Sequence, residues 1–123
     1  MNHLNDMQRS VLLEGLRDYQ SMWELAREAR ELIGETSSTE AVRRTVLAWI
    51  RPLIEGGYLT VGRLVRRGRF SDLEPWSAQG RAAMRELEQR WTRLGRDPEV
   101  GELAWLQLTQ SGQALARGIR TRA

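Results

Sequence analysis

Four arginines, Arg63, Arg66, Arg67 and Arg69, fall within seven positions of the stretch GGYLTVGRLVRRGRF, residues 56–70. A guanidinium is charged at every physiological pH and presents a planar fork of donors that matches a phosphate, so the chemistry open to this cluster is anion recognition. The run YLTVGRLV, residues 58–65, alternates and is β-branched enough to predict a strand, with Gly62 as a bulge. Two readings of the cluster follow. It is a basic ribbon lying against nucleic acid, held by counterion release, or a turn whose arginines face water.

Other chemistries have less to work with. All 19 basic residues are arginine and there is no cysteine, which removes Schiff-base chemistry, a Walker A lysine, thiolate nucleophiles, disulfides and Cys-type zinc sites. The one imidazole, His3, stands beside the N-terminus, a poor place for a Ser-His-Asp arrangement or a His-based metal site. Glu24, Glu28, Glu31 and Glu35 recur at helical spacing beside Arg27 and Arg30, the pattern of a solvated, salt-linked face. Catalysis by carboxylates alone is the enzymatic reading that remains. We expect no catalytic residues, metal or cofactor.

A chain of 123 residues is the size of one domain with one core. Its N-terminus lacks the pattern of a signal peptide, and no apolar run approaches the roughly 20 residues needed to span a bilayer. A soluble, cytoplasmic protein without membrane contact is expected. Net charge is only +3, but it is unevenly placed: residues 37–70 carry seven arginines against two glutamates, whereas residues 1–36 carry four arginines against seven acids.

The elements that must position the arginines can be read from periodicity. Leu4, Met7, Val11, Leu12 and Leu16 form one helical stripe and Tyr19, Met22, Trp23, Ala26, Ala29 and Ile33 another, as one helix or two, closed at Gly34. Ser37 or Ser38 caps a helix over about Thr39–Ile54, burying Val42, Val46, Trp49, Ile50 and Leu53, with Pro52 favouring a kink or an early end near Ile50. Residues 66–76 read as a turn, Ser77 as the cap of a helix to Leu94, ELAWLQL as a second strand, and QSGQALARGI as a last helix.

Two of these stretches, WIRPLIEGGYLTV and WLQLTQSGQALA, resemble the winged helix-turn-helix superfamily of bacterial regulators, the second through Leu108, Thr109, Gly112, Leu115 and Ala116. The resemblance implies a single mainly α (α+β) domain: a three-helix core, a small two-stranded antiparallel sheet, and a helical insertion at about 66–101. It also implies a double-stranded DNA partner and a transcription-regulatory role. Ser38, Thr39, Arg43 and Arg44 would then approach bases or phosphates in the major groove, and Arg63, Arg66, Arg67 and Arg69 would hold the flanking backbone. The alternative is a protein-interaction module that uses Trp76 with the stripe Met84, Leu87 and Trp91, or joins a homodimer through the inserted helix. Trp23, Trp49, Trp91 and Trp105 read as core, and Trp76 as a pin for that helix.

Overall fold

The computed structural model of the protein describes residues 3–122. Five helices and four strands follow in the order α1 (Asp6–Gly15), β1 (Gln20–Ser21), α2 (Met22–Ile33), α3 (Thr39–Glu55), β2 (Leu59–Arg67), β3 (Phe70–Pro75), α4 (Gly80–Leu94), β4 (Trp105–Leu108) and α5 (Gln110–Arg122). The fold is α+β. Among the described residues no helix is long and apolar enough to cross a membrane.

Local hydrogen bonding divides the first 33 residues into two helices. Asn5 and Gln8 form a reciprocal capping box on α1, and Ser21 and Glu24 form a second on α2. Each box satisfies N–H groups that a first turn leaves free, so α2 starts afresh at Met22. Ser38 caps α3 by accepting from the Ala41 N–H. The helix does not end early near Ile50: α3 runs through Pro52 to Glu55. Ala48, whose carbonyl loses the bond that Pro52 cannot donate, is exposed, so water can replace the missing donor.

The expected two-stranded sheet has four strands, in the order β1-β4-β2-β3 and antiparallel throughout. The anticipated pairing of β2 with β4 is present, with Leu59 opposite Leu108 and Gly62 opposite Trp105. Residues 66–76, expected as a turn, are instead the end of β2, a two-residue loop and β3. Gly68 has φ +63° while Arg69 stays at negative φ, the type II′ pattern that needs glycine first and suits the twist of a hairpin. Gly62 is not a bulge. It is paired on both sides, opposite Trp105 and Pro75, and a Cβ there would strike the Glu74 carbonyl oxygen.

Beyond Trp76, whose N–H still donates to the Val61 carbonyl, the chain leaves the sheet and the Gln79 side chain takes over the ladder. It donates to the Val61 carbonyl at 2.8 Å and accepts from the Val61 N–H at 2.9 Å. Ser77, the expected cap of α4, is displaced by Gln79, which holds the N-cap position without a side-chain bond to the helix because that side chain is committed to β2.

One core joins these layers. Val42, Val46, Ile50 and Leu53 of α3 meet Met84, Leu87 and Trp91 of α4, Val11 and Leu12 of α1, and Val61 and Leu106 of the sheet. Leu115 and Ile119 of α5 pack half-buried against it. Thr109 connects β4 to α5 by accepting from the Gly112 N–H and donating to the Gly57 carbonyl.

Candidate nucleic-acid interface

The face that α3 shows to solvent is narrow because seven of its residues are buried: Val42, Val46, Leu47, Trp49, Ile50, Leu53 and Ile54. The outward stripe is Glu40, Arg44, Ala48, Arg51 and Glu55. Arg44 pairs with Glu40 at 2.7 Å, and Arg51 pairs with Glu55 at 3.4 Å and with Glu88 of α4 at 2.6 Å. Ser38 spends its hydroxyl on the cap, and Thr39 is half-buried. Of the four residues expected to enter a groove from this helix, Arg43 alone is a cation without an ion pair among the described residues. It lines a groove of about 380 Å³ between α3 and α4, together with Arg44, Arg51, Glu40, Glu88 and Thr92. The carboxylates on that wall balance most of its cations.

The hairpin is different. Antiparallel pairing sets Arg63 opposite Glu74, Arg66 opposite Ser71 and Arg67 opposite Phe70. Arg63 is consequently matched by Glu74 at 2.9 Å. Arg67 reaches only 3.7 Å from Asp72 and 4.0 Å from Glu74. Those acids have other donors: Asp72 accepts from the Leu73 N–H and the Tyr19 hydroxyl, and Glu74 accepts from Arg63. Arg66 and Arg69 are exposed and enter no ion pair among the described residues. Phe70, 77% exposed, completes the tip. The eight expected contact residues therefore differ in what lies within reach of each. Arg44 and Arg63 are held by near acids, while Arg66, Arg67 and Arg69 lie at the hairpin end, where strand alternation sets Arg66 on one face and Arg67 with Phe70 on the other.

The outer edge of β3 is blunted. The Trp76 N–H donates to the Val61 carbonyl, which fixes the phase of the ladder so that Ser71, Leu73 and Pro75 direct their backbone groups away from β2. Leu73 spends its N–H on the Asp72 carboxylate at 2.9 Å and Pro75 has none, a common defence of an edge strand against pairing with other chains.

The alternative contact residues are placed inside. Met84, Leu87 and Trp91 are fully buried in the chain's own core and are not a surface for another protein. Their near-heptad spacing on α4 is the spacing of a core-facing stripe. Trp76 is half-buried, packed on that core, with the Arg90 guanidinium 4.3 Å from its ring centroid, and it pins α4. Trp49 is buried; Trp23 and Trp105 are half-buried, and Arg27 lies over the Trp23 ring.

The loop after α4 is fastened by two further arginines. Arg30 donates to Asp97 at 2.8 Å and to the Glu35 and Ser37 carbonyls, which fixes the α2–α3 connection and raises its own pKa through the Asp97 bond. Arg96 forms a two-bond fork with Glu102. That fork, with the Glu99 N–H, lowers the Glu102 pKa to about 2. Elsewhere on α2, burial and then the neighbouring Glu24, Glu14 and Glu31 raise the pKa of Glu28.

The chain matches no family model, no curated protein and no solved structure.

Proposed function

We propose that this chain is a non-enzymatic duplex-DNA-binding module of winged-helix architecture, and that its main phosphate contacts come from the β2–β3 hairpin tip. The order α1-β1-α2-α3-β2, then β4-α5, supports the architecture, with β4 lying between β1 and β2 as the second wing strand. In this reading β3 and α4 are inserted between the wing strands. A regulatory role in the cytoplasm follows as the corresponding expectation.

One observation carries the DNA reading: Arg66 and Arg69 are exposed at the hairpin end without a carboxylate partner, and the exposed ring of Phe70 follows Arg69 directly in the chain. Uncommitted guanidinium groups are free to replace counterions on phosphates. Phe70 supplies a face that can stack on a base or wedge into a base step. Arg43, in the groove between α3 and α4, has a supporting part.

The test is a titration of labelled duplex at several salt concentrations. Affinity should fall steeply with salt for the wild type. Arg66→Ala with Arg69→Ala should make the log–log slope shallower by about 2, at roughly 0.9 per lost phosphate contact. A wild type that leaves duplex unbound at low salt overturns the proposal.

A further inference from the structure

We infer that the solvent face of α4 is a second track for the DNA backbone, separate from the hairpin. The inference rests on the duplex-binding reading, but it uses different residues. The buried face of α4 is Ala83, Met84, Leu87 and Trp91. Helical geometry places Arg81, Arg85, Gln89 and Arg93 away from it, spaced four residues apart, and all four are exposed. None of the three arginines has an ion pair among the described residues.

The acids that could neutralise this stripe are already engaged. Glu86 is held by Arg90 at 2.8 Å, toward the side where Arg90 covers Trp76. Glu88 is held by Arg51 of α3 at 2.6 Å. Glu88 borders Gln89, Thr92 and Arg93 at the edge of the stripe with its carboxylate already paired to Arg51, so the cations outnumber the acids on the outer face. At 1.5 Å rise per residue the stripe is about 18 Å long, comparable to five successive phosphates on one strand at roughly 3.4 Å of axis each.

The composition of the face favours a phosphate backbone over an acidic protein. Protein contacts draw most of their affinity from buried aromatic or apolar anchors, and the large exposed hydrophobic residues of this chain, Leu32, Ile33, Phe70 and Val100, all lie outside α4. A stripe of donors that carries no large exposed hydrophobic residue is suited to backbone positioning, which is independent of base sequence. The tertiary structure thus gives the inserted helix two uses. Its inner face fills the core, and its outer face is left charged.

The experiment compares three proteins by salt titration with one duplex: wild type, the triple variant Arg81→Gln/Arg85→Gln/Arg93→Gln, and Arg66→Ala/Arg69→Ala. Glutamine keeps helix propensity close to that of arginine, and circular dichroism checks the fold. The triple variant should have a slope shallower by about 2 to 3 and bind at least tenfold more weakly at moderate salt. A gain-of-charge variant, Gln89→Arg, should steepen the slope by about 1, which keeps the inference testable if the triple variant folds poorly. An unchanged slope in both α4 variants, with loss in the hairpin variant, overturns the second track and leaves the hairpin reading standing. Loss in the α4 variants alone supports the track and overturns the hairpin reading. A wild type that leaves duplex unbound overturns both. Poly-glutamate that binds wild type as tightly as duplex, and loses binding in the triple variant, overturns the assignment of the track to DNA.

Discussion

The outward stripe of α3 and the tip of the β2–β3 hairpin are both rich in arginine and differ in what lies within reach of each guanidinium. On α3, Arg44 and Arg51 stand one turn from Glu40 and Glu55, and α4 adds Glu88, so the helix presents matched charges. At the hairpin, Glu74 takes Arg63 at the base, while the tip extends past its acids and leaves Arg66 and Arg69 uncommitted. The number of cations in a segment does not set its affinity for phosphate. What matters is the charge left once the carboxylates within reach of each cation are counted, because those acids repel the same phosphate.

Phe70→Ala offers the largest effect that can break this comparison. If the tip carries binding, removing the ring should weaken duplex affinity by roughly tenfold, within the 1–3 kcal/mol range for a base–aromatic stack, with the salt slope unchanged. A loss of twofold or less would place the ring outside the interface. Glu74→Gln should act in the opposite direction by freeing Arg63 and Arg67: affinity rises a few-fold at low salt and the slope steepens by about 1. A smaller change is expected on the helix. Arg44→Ala with Arg51→Ala should alter affinity less than threefold, because both side chains already serve carboxylates; a loss as large as that of the hairpin variant would restore α3 as the reading element.

Acid is the mildest perturbation and serves as a control on the scaffold. Glu102 has its pKa depressed in the folded state, so the stabilisation from Arg96 is complete above about 4.5 and is lost as pH falls toward about 2. Unfolding of wild type and Glu102→Gln should therefore differ at pH 7 and converge across that window. A difference that persists at pH 2 would contradict the depressed value. Binding measured above pH 5 is then free of this effect.

Much of the fold is legible from side-chain periodicity. The buried residues of α3 were expected at Val42, Val46, Trp49, Ile50 and Leu53, and YLTVGRLV reads as a strand from its alternation, whereas its pairing with ELAWLQL was implied by the winged-helix resemblance. The hairpin was missed because RRGRF lacks the apolar alternation that marks a half-buried strand; its signal was the single Gly68-Arg69 step, a Gly-X pair suited to a type II′ turn. Exposed strand residues carry no hydrophobic pattern, so β3 was hidden behind FSDLEP.

The candidate site was legible in kind but not in placement. Glu40 and Arg44, like Arg51 and Glu55, are four apart, and their pairing could be anticipated from helical geometry. The pairing of Arg63 with Glu74 requires the register of a hairpin, and that of Arg51 with Glu88 requires the packing of α4 on α3. Neither is local. The same is true of Gln79, whose role as a substitute strand partner depends on where β3 departs from the sheet.

The most direct measurement follows backbone amide shifts by NMR while unlabelled duplex is added to isotope-labelled protein at low salt. The account predicts the largest perturbations at Arg66–Phe70, with small changes along the outward positions of α3. Perturbations concentrated between Glu40 and Arg51, with a silent hairpin, would contradict it.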